Sequence, residues 1–254
     1  MHRISILTLA LAALLAATAA QATPTLIAIG TLGGTSDLSG LTGTLENGLA
    51  ANVLGGLGSG LAWAGGNTFT ATPDRGPNAT PYNSGVDDTT SYISRFQTLK
   101  LDLVAAASGN LPYTLPPSLT ATTLLSSTTA LVYGTGTAFG LPSGAPVQNT
   151  ANAHHFSGRS DNFDASKTSA NLNNARLDPE AVRVSKDGKS VFISGEYGPY
   201  IYQFDRATGR RIKSFTLPAN LAITHLSAQG GGGNRRQQYR ARGQQGYGRP
   251  GNFA

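Results

Sequence analysis

Residues 177–215 read LDPEAVRVSKDGKSVFISGEYGPYIYQFDRATGRRIKSF. Apolar β-branched and aromatic residues concentrate at positions 182–184, 191–193 and 200–204 of this stretch. Turn-forming residues separate these groups, with Lys-Asp-Gly after the first and Asp-Arg-Ala-Thr-Gly after the last. The pattern is typical of short antiparallel strands joined by tight turns. The stretch therefore predicts consecutive strands of one sheet, as in a blade of a β-propeller.

An earlier stretch, residues 60–77 (GLAWAGGNTFTATPDRGP), repeats this order of turn, strand, acid and Gly-Pro. Alignment on the two Gly-Pro pairs places Gly66 opposite Gly188. It also places Asp74 opposite Glu196. Propeller blades repeat at about 40–50 residues, so the 202 residues at positions 23–224 hold about four to five of them, short of a six-bladed ring. We therefore predict an all-β, β-propeller-like fold of short antiparallel sheets, with an incomplete ring.

The composition favours strands and turns over helices. Only 13% of residues are charged, and the chain contains 32 Gly and 13 Pro. Ser and Thr crowd residues 114–137, and no long amphipathic helical period stands out. With 254 residues, 39% of them hydrophobic, the chain can bury one sizeable core. Wholesale disorder is therefore disfavoured.

The N-terminus has the features of a secretory signal peptide, residues 1–22. Basic residues precede an apolar run over residues 4–16, and Ala-Gln-Ala at residues 20–22 offers a small-residue cleavage site. A membrane anchor is the alternative, but the apolar run is short and no stop-transfer segment follows it. The absence of Cys excludes a lipoprotein and any disulfide. We predict a periplasmic or secreted protein that makes no membrane contact once the signal is removed.

The positive charge is concentrated at the ends of the chain. Without Arg3 and the five arginines after His225, the 19 basic residues fall to 13, equal to the 13 acidic residues. The body is therefore neutral and has no electrostatic reason to bind nucleic acid or an anionic membrane. Residues 228–254 are rich in Gly, Gln and Arg, which predicts a disordered low-complexity tail. An RNA-binding arm and a reading frame lost near Gly230 are the alternatives for this tail.

Three acidic residues at predicted strand ends are candidate metal ligands: Asp74, Glu180 and Glu196. Each lies beside Gly or Pro, where a turn exposes its carboxylate. Loop carboxylates and carbonyls are the ligands that Ca²⁺ prefers, and Asp178 and Asn78 can add further oxygens. Acidic residues in such positions are also ordinary turn formers, whose side chains bond their own backbone. As a set, the three residues predict a shared site for a divalent metal, with Ca²⁺ as the first choice.

Arg75 and Arg183 are the cations nearest to these acids in sequence, and Tyr197 follows Glu196. A guanidinium can clamp a phosphate bidentately, so both arginines are candidate substrate contacts, with Tyr197 beside them. Salt bridges and aromatic packing explain the same residues without a substrate. The sequence lacks zinc-ligand spacing, a Gly-x-Ser-x-Gly elbow, a Cys nucleophile and a phosphate-binding glycine loop. Zinc enzymes and serine hydrolases are therefore disfavoured.

Several motifs together resemble one family of exported bacterial proteins. They are DRGPN at residues 74–78, HFSGRSDNF at 155–163, DPEA at 178–181 and EYGP at 196–199. In this order they are similar to the family called esterase-like activity of phytase, or phytase-like domain. The resemblance assigns residues 23–227 to a partial domain of this family.

The resemblance implies a β-propeller with phosphatase-like or esterase-like activity and Ca²⁺ or another divalent ion at acid-bearing loops. Ala181 stands where the family usually has Gly, and the family's later blades are not found in the chain, which indicates a C-terminal truncation. Two functions fit these observations. The first is a hydrolase of small-molecule phosphate or carboxylic esters that uses a metal-activated water. The second is a noncatalytic exported propeller or an inactive truncated remnant.

Overall fold

A computed structural model of the protein describes residues 23–77, 89–133, 145–159, 172–195, 200–216 and 218. These residues form strands β1 to β12 and no helix, which confirms the predicted all-β class. The chain divides into a small unit, residues 1–30 with 103–115, and a larger unit, residues 31–102 with 116–254. A helix long and apolar enough to cross a membrane is not found in the described ranges. The predicted signal peptide and tail lie outside them.

Four antiparallel strands form the first sheet of the larger unit. In spatial order they are β1 (Leu57–Gly65), β2 (Thr68–Pro73), β3 (Arg95–Leu101) and β6 (Pro117–Leu124). The Thr and Phe residues of β2 suit a pleated, half-buried surface. Gly65 and Gly66 make the β1–β2 turn at φ angles of 110° and 55°, a left-handed region that glycine enters without a steric penalty.

The second sheet is an antiparallel meander in which every strand pairs with the next. Its strands are β9 (Pro179–Val184), β10 (Ser190–Gly195), β11 (Tyr200–Asp205) and β12 (Arg211–Thr216). Asp187 forms the β9–β10 turn by accepting hydrogen bonds from Ser185 and Lys189. Asp205 does the same for the β11–β12 turn with Thr208. These hydrogen bonds lower the pKa of both carboxyls, as expected of acidic turn formers.

The sequence repeat corresponds to equivalent strands of the two sheets. β2 and β10 are each the second strand of their sheet, and each follows a left-handed glycine, Gly66 or Gly188. Four-stranded antiparallel meanders are typical of propeller blades. The prediction of short antiparallel sheets is therefore confirmed. No closed sheet occurs among the described residues, and the assembly of these sheets into an incomplete propeller stays a prediction.

Two short strand pairs complete the described structure. In the small unit, β4 (Val104–Ala105) pairs with β5 (Tyr113–Thr114). In the larger unit, β7 (Ser126–Ser127) pairs with β8 (His154–His155). The second pair places residue Phe156, which follows β8, inside the main core.

The main core of the larger unit joins the two sheets. Ala62 and Phe96 of the first sheet belong to one buried cluster with Val182, Ile193 and other apolar residues of the second. A Cβ atom on Gly60 would lie only 2.8 Å from the Val182 nitrogen, so β1 and β9 approach closely at this point. The two sheets are therefore held together by burial of apolar surface.

A segment without long strands, residues 31–54, packs beside Tyr92 and Arg95; we call it the N-terminal arm. Its Asp37 forms an ion pair with Arg95, and both side chains are fully buried. Arg95 also lies over the Tyr92 ring, 3.9 Å from its centre. Burial raises the pKa of Tyr92 to about 12, so its hydroxyl stays protonated and donates to the Val53 carbonyl at 3.1 Å. A second ion pair joins arm residue Glu46 to Arg159.

Candidate functional site

Three carboxylates from the two sheets converge in the larger unit. Asp74 directly follows β2, Asp178 directly precedes β9, and Glu180 is the second residue of β9. One oxygen of each residue lies within 4.8 Å of the others. The packing of the first sheet against β9 brings together acids that are about a hundred residues apart in sequence. We call these residues the acidic cluster.

A β-bulge positions Glu180. Ser194 of β10 pairs with Ala181, but the next residue, Gly195, pairs with Pro179. Glu180 is therefore an extra residue on β9 with no partner position on β10. An extra residue of this kind bends the strand and redirects its side chain, and such bulges are common beside functional sites. Glu180 is exposed, although its neighbour Pro179 is buried.

Arg75 contacts the acidic cluster. Its Nη1 atom is 3.3 Å from Asp178 Oδ2 and 3.6 Å from Asp74 Oδ1. Its backbone N–H donates to Asp74 Oδ1 at 2.6 Å and to Asp178 Oδ1 at 3.2 Å. Its Nε atom donates to Thr89 Oγ1 at 2.9 Å. Both the backbone and the side chain of Arg75 thus hold the two aspartates in place.

Exposure varies across the acidic cluster. The Asp178 side chain is fully buried, whereas 45% of the Asp74 side chain and 25% of the Arg75 side chain are accessible to solvent. A buried carboxylate is unfavourable unless it is paired, so Asp178 needs the cations and donors around it. The cluster is therefore anchored on one side and open to small molecules on the other.

Two glycines support the backbone of the cluster. A Cβ atom on Gly158 would lie 1.7 Å from the Arg75 carbonyl oxygen. A Cβ atom on Gly195 would lie 2.3 Å from the Asp178 carbonyl oxygen. Neither position has room for a side chain, because the obstacle is backbone. The segments that contain Gly158 and Gly195 therefore pack directly against the residues that carry the cluster.

The charge and spacing of the cluster fit a divalent cation. Asp74, Asp178 and Glu180 supply three negative charges when ionised, and Arg75 offsets one of them. Ca²⁺ binds carboxylate oxygens at about 2.3–2.6 Å, so two of its ligands can lie up to about 5 Å apart. The 4.8 Å limit that includes all three oxygens lies within that range. Hard oxygen donors are also the chemistry that Ca²⁺ and Mg²⁺ select.

The structure brings together some of the residues predicted from sequence. Asp74, Glu180 and Arg75 meet, and Asp178, predicted only as an additional oxygen, is the buried member of the cluster. Arg183 donates instead to the Val182 carbonyl at 2.7 Å, and no ion pair joins it to an acid within the described residues. Three further predicted residues lie outside the described residues: Asn78, Glu196 and Tyr197.

Sequence reasoning missed the buried network that adjoins the cluster. Arg159 follows Gly158, and its Nη1 atom donates to Glu46 Oε1 and to Ser91 Oγ, both at 3.0 Å. The Ser91 backbone N–H donates to Glu46 Oε2 at 2.8 Å. The only available signal was that Arg159 belongs to the HFSGRSDNF motif. Its partners are too distant in sequence to have been predicted.

Comparison with known proteins identifies the family. The sequence pattern of the phytase-like family, described as esterase-like activity of phytase, matches residues 52–242. This match covers more than half of the chain and includes the whole acidic cluster. Searches of curated proteins and of solved structures each found no match. The chain therefore belongs to the phytase-like family, as its motifs and their order predicted.

Proposed function

We propose that this protein is an exported, metal-dependent hydrolase of small-molecule phosphate or carboxylic esters. The observation that carries the proposal is the convergence of Asp74, Asp178 and Glu180 from two sheets at a solvent-open position. Membership of the phytase-like family supports the ester chemistry. The signal-like N-terminus supports export, and the two four-stranded sheets support an incomplete propeller as the scaffold.

Each residue of the cluster has a distinct role in this proposal. Asp178 is the fixed ligand, because its carboxylate is buried and held by Arg75. Asp74 and Glu180 are the ligands on the solvent side, where an ester can enter. A divalent ion held by these carboxylates supplies Lewis-acid polarisation of the ester and lowers the pKa of water. Glu196 is a further proposed ligand.

Arg75 is the proposed contact for the anionic part of the substrate. Its guanidinium is a quarter exposed and touches two of the acids. A guanidinium carries five N–H donors in a planar fork, so one arginine can orient ligand carboxylates and also meet an oxyanion. Arg183 and Tyr197 are proposed as secondary substrate contacts. A phosphate ester would use these contacts more strongly than a neutral carboxylic ester, because only the phosphate carries charge in the ground state.

Thermal melts with and without Ca²⁺ test the metal site. A ligand that binds only the folded state stabilises it by about 2.7 kcal/mol at a hundred times its Kd. We expect Ca²⁺ to raise the melting temperature of the wild-type protein. Glu180→Gln preserves size and removes one ligand charge, so it should abolish most of this gain while changing the metal-free melt little. Asp102→Asn is the matched control, because Asp102 is an exposed acid paired with Lys100.

Hydrolysis assays test the activity itself. Release of nitrophenol from a phosphate monoester and from an acetate ester should require added divalent ion after treatment with a chelator. The rate of nitrophenol release should be lower in Glu180→Gln than in the wild-type protein, but unchanged in Asp102→Asn. An identical Ca²⁺ response in Glu180→Gln and wild type would contradict the metal site.

A noncatalytic exported propeller is the second candidate, and the position of Arg75 favours it. The Arg75 guanidinium pairs with Asp74 and Asp178, so a structural ion pair accounts for both aspartates without a metal. In that case Ca²⁺ leaves the melting temperature unchanged, and neither ester is hydrolysed. Arg75→Gln would then destabilise the protein, because it leaves the buried Asp178 carboxylate without its guanidinium partner.

A further inference from the structure

A wide-mouthed cavity opens on the surface of the larger unit, lined by both polar and apolar residues, none of which belongs to the acidic cluster. Its volume is about 580 Å³, within the range of about 300–1,000 Å³ typical of small-molecule sites. The end of β6, the β7–β8 pair and the β11–β12 turn form its walls. None of the residues that line it is Asp or Glu. The cavity is therefore unlike the acidic cluster in charge.

Close backbone contact builds the wall between β7 and the β11–β12 turn. A Cβ atom on Gly209 would lie 2.0 Å from the Leu124 carbonyl oxygen, so only glycine fits between these segments. The Ser126 backbone N–H donates to the Gly209 carbonyl at 2.9 Å, and Ser126 forms a parallel bridge with Arg210. These contacts fix the backbone of Arg210 beside Ser126 before any ligand arrives. A site formed in advance in this way binds with a smaller entropic cost.

Four lining residues present polar groups that are not used elsewhere. Ser126 is 95% buried, yet its hydroxyl makes no hydrogen bond within the described residues. The side chains of Thr123 and Asn152 likewise make none there. Arg210 has an exposed side chain and no ion pair with any described acid. The cavity thus combines one uncompensated cation with hydroxyl and amide groups.

This chemistry selects a particular class of ligand. A guanidinium without an acidic partner attracts an oxyanion and can bind it with two parallel hydrogen bonds. Hydroxyl and amide side chains both donate and accept hydrogen bonds, which matches the hydroxyl groups of a polyol. A lone inorganic anion would fill only a small part of 580 Å³. The lining therefore suits a sugar-sized molecule that carries one anionic group.

We propose that this cavity binds a small polyhydroxylated molecule with one oxyanion group, which Arg210 contacts while Ser126, Thr123 and Asn152 bind the hydroxyl groups. The oxyanion can be a phosphate or a carboxylate, since a guanidinium recognises both in the same geometry. This inference does not depend on the proposed hydrolase, because no residue of the acidic cluster lines the cavity.

Calorimetric titration of the full chain in the presence of a chelator tests the proposal. The probes are glucose 6-phosphate, glucuronate and, as the uncharged comparison, glucose. We expect at least one of the two anionic sugars to bind with measurable affinity and glucose to bind at least about tenfold more weakly, about 1.4 kcal/mol. The anionic sugar that binds identifies the oxyanion. Failure of both anionic sugars to bind, or equal binding of glucose, would overturn the proposal.

Variants locate the binding to this cavity. Arg210→Gln keeps a polar side chain and removes the charge. It should weaken binding of the anionic sugar about tenfold. Arg206→Gln is the matched control, because Arg206 lies in the same turn and donates to the Gly188 carbonyl, outside the cavity lining. Ser126→Ala should weaken binding several-fold without changing net charge. Equal losses in Arg210→Gln and Arg206→Gln would show a general charge effect and overturn the assignment to the cavity.

Discussion

Gly158 shows how tightly the acidic cluster is supported by its neighbours. Its N–H donates to the Tyr92 carbonyl at 2.9 Å, and a Cβ atom there would meet the Arg75 carbonyl oxygen. Gly158→Ala must therefore displace the backbone of Arg75 or of residue 158 itself. Overpacking of this kind costs about 1–3 kcal/mol. We expect that loss in the free energy of unfolding measured with urea.

Gly43→Ala is the matched control for Gly158→Ala. A Cβ atom on Gly43 would meet nothing within 4 Å, and its φ lies outside the left-handed region. The free energy of unfolding of the Gly43→Ala variant should differ from that of the wild-type protein by less than about 0.5 kcal/mol. Equal effects of the two substitutions would show that Gly158 tolerates a side chain and that its segment does not press on Arg75.

His155 makes stability depend on pH. Burial lowers the pKa of His155 below its ordinary value of 6.5; the hydrogen bond to the Leu125 carbonyl opposes this shift, and the neighbouring charges of His154 and Arg95 add to it. The unfolded chain therefore binds a proton at pH values where the folded protein does not. The stabilisation is fully present above pH 6.5 and is lost as the pH falls through the folded-state pKa. We expect the midpoint of urea unfolding to decrease as the pH is lowered from about 7.5 to about 5.

Substitution separates this effect from the titration of acids. His155→Gln removes the imidazole, so its urea midpoint should decrease less over the same pH interval. His154→Gln, which changes the adjacent position, should retain most of the decrease shown by the wild-type protein. If His155→Gln and wild type lose stability in parallel, other groups carry the acid sensitivity.

At the residue scale, the sequence identified acidic residues of the cluster but did not show which of them is buried. Asp74 and Glu180 stood out because each follows a Pro at a strand end. The sequence predicted Asp178 only as an additional oxygen donor, although it lies in the same Asp-Pro-Glu run. Its burial depends on which sheet covers it, and the local sequence does not show this. The bulge at Glu180 follows from the pairing of β9 with β10, which has no local sequence signal.

At the element scale, the N-terminal arm depends on buried ion pairs. Asp37 and Arg95 are both fully buried, and Arg95 also donates to the carbonyls of Ile93 and Ala51. Asp37→Asn leaves the Arg95 charge buried without its counter-ion. Removal of one partner from such a pair costs about 3–5 kcal/mol. We expect a loss of this size in the free energy of unfolding measured with urea.

The exposed pair Lys100–Asp102 provides the comparison. Its side chains are 49% and 38% exposed, so Asp102→Asn should cost at most about 1 kcal/mol. Replacement of both Asp37 and Arg95 by apolar residues of similar size should recover part of the loss, since no charge then remains buried. If Asp37→Asn lowers the free energy of unfolding no more than Asp102→Asn does, solvent reaches the Asp37–Arg95 pair and the pair is not buried.

The elements themselves differed in how well sequence predicted them. Strands β9 to β11 have β-branched and aromatic runs bounded by Asp and Gly, and the structure places strands there. The repeat also identified β2 and β10 as equivalent. The N-terminal arm escaped prediction because isolated bridges and distant ion pairs hold it, and neither produces a periodic pattern.

At the scale of the whole molecule, sequence composition and the family match assign different ends to the folded domain. Composition ends the domain at residue 227, where the Gly, Gln and Arg-rich segment begins. The family match continues to residue 242. Composition therefore assigns residues 228–242 to the tail, whereas the family match assigns them to the domain. Removal of parts of the C-terminal segment can decide between these criteria.

Thermal melts of three chains that begin at residue 23 provide the test: one ends at residue 254, one at residue 242 and one at residue 229. The segment after residue 229 lacks apolar periodicity, so it can bury little hydrophobic surface, and we expect all three melting temperatures to agree. The measurement is sensitive, because a domain of this size loses about 2–4 °C per kcal/mol. A lower melting temperature for the variant ending at 229 alone would show that residues 230–242 pack on the fold. The family match, rather than composition, would then mark where the domain ends.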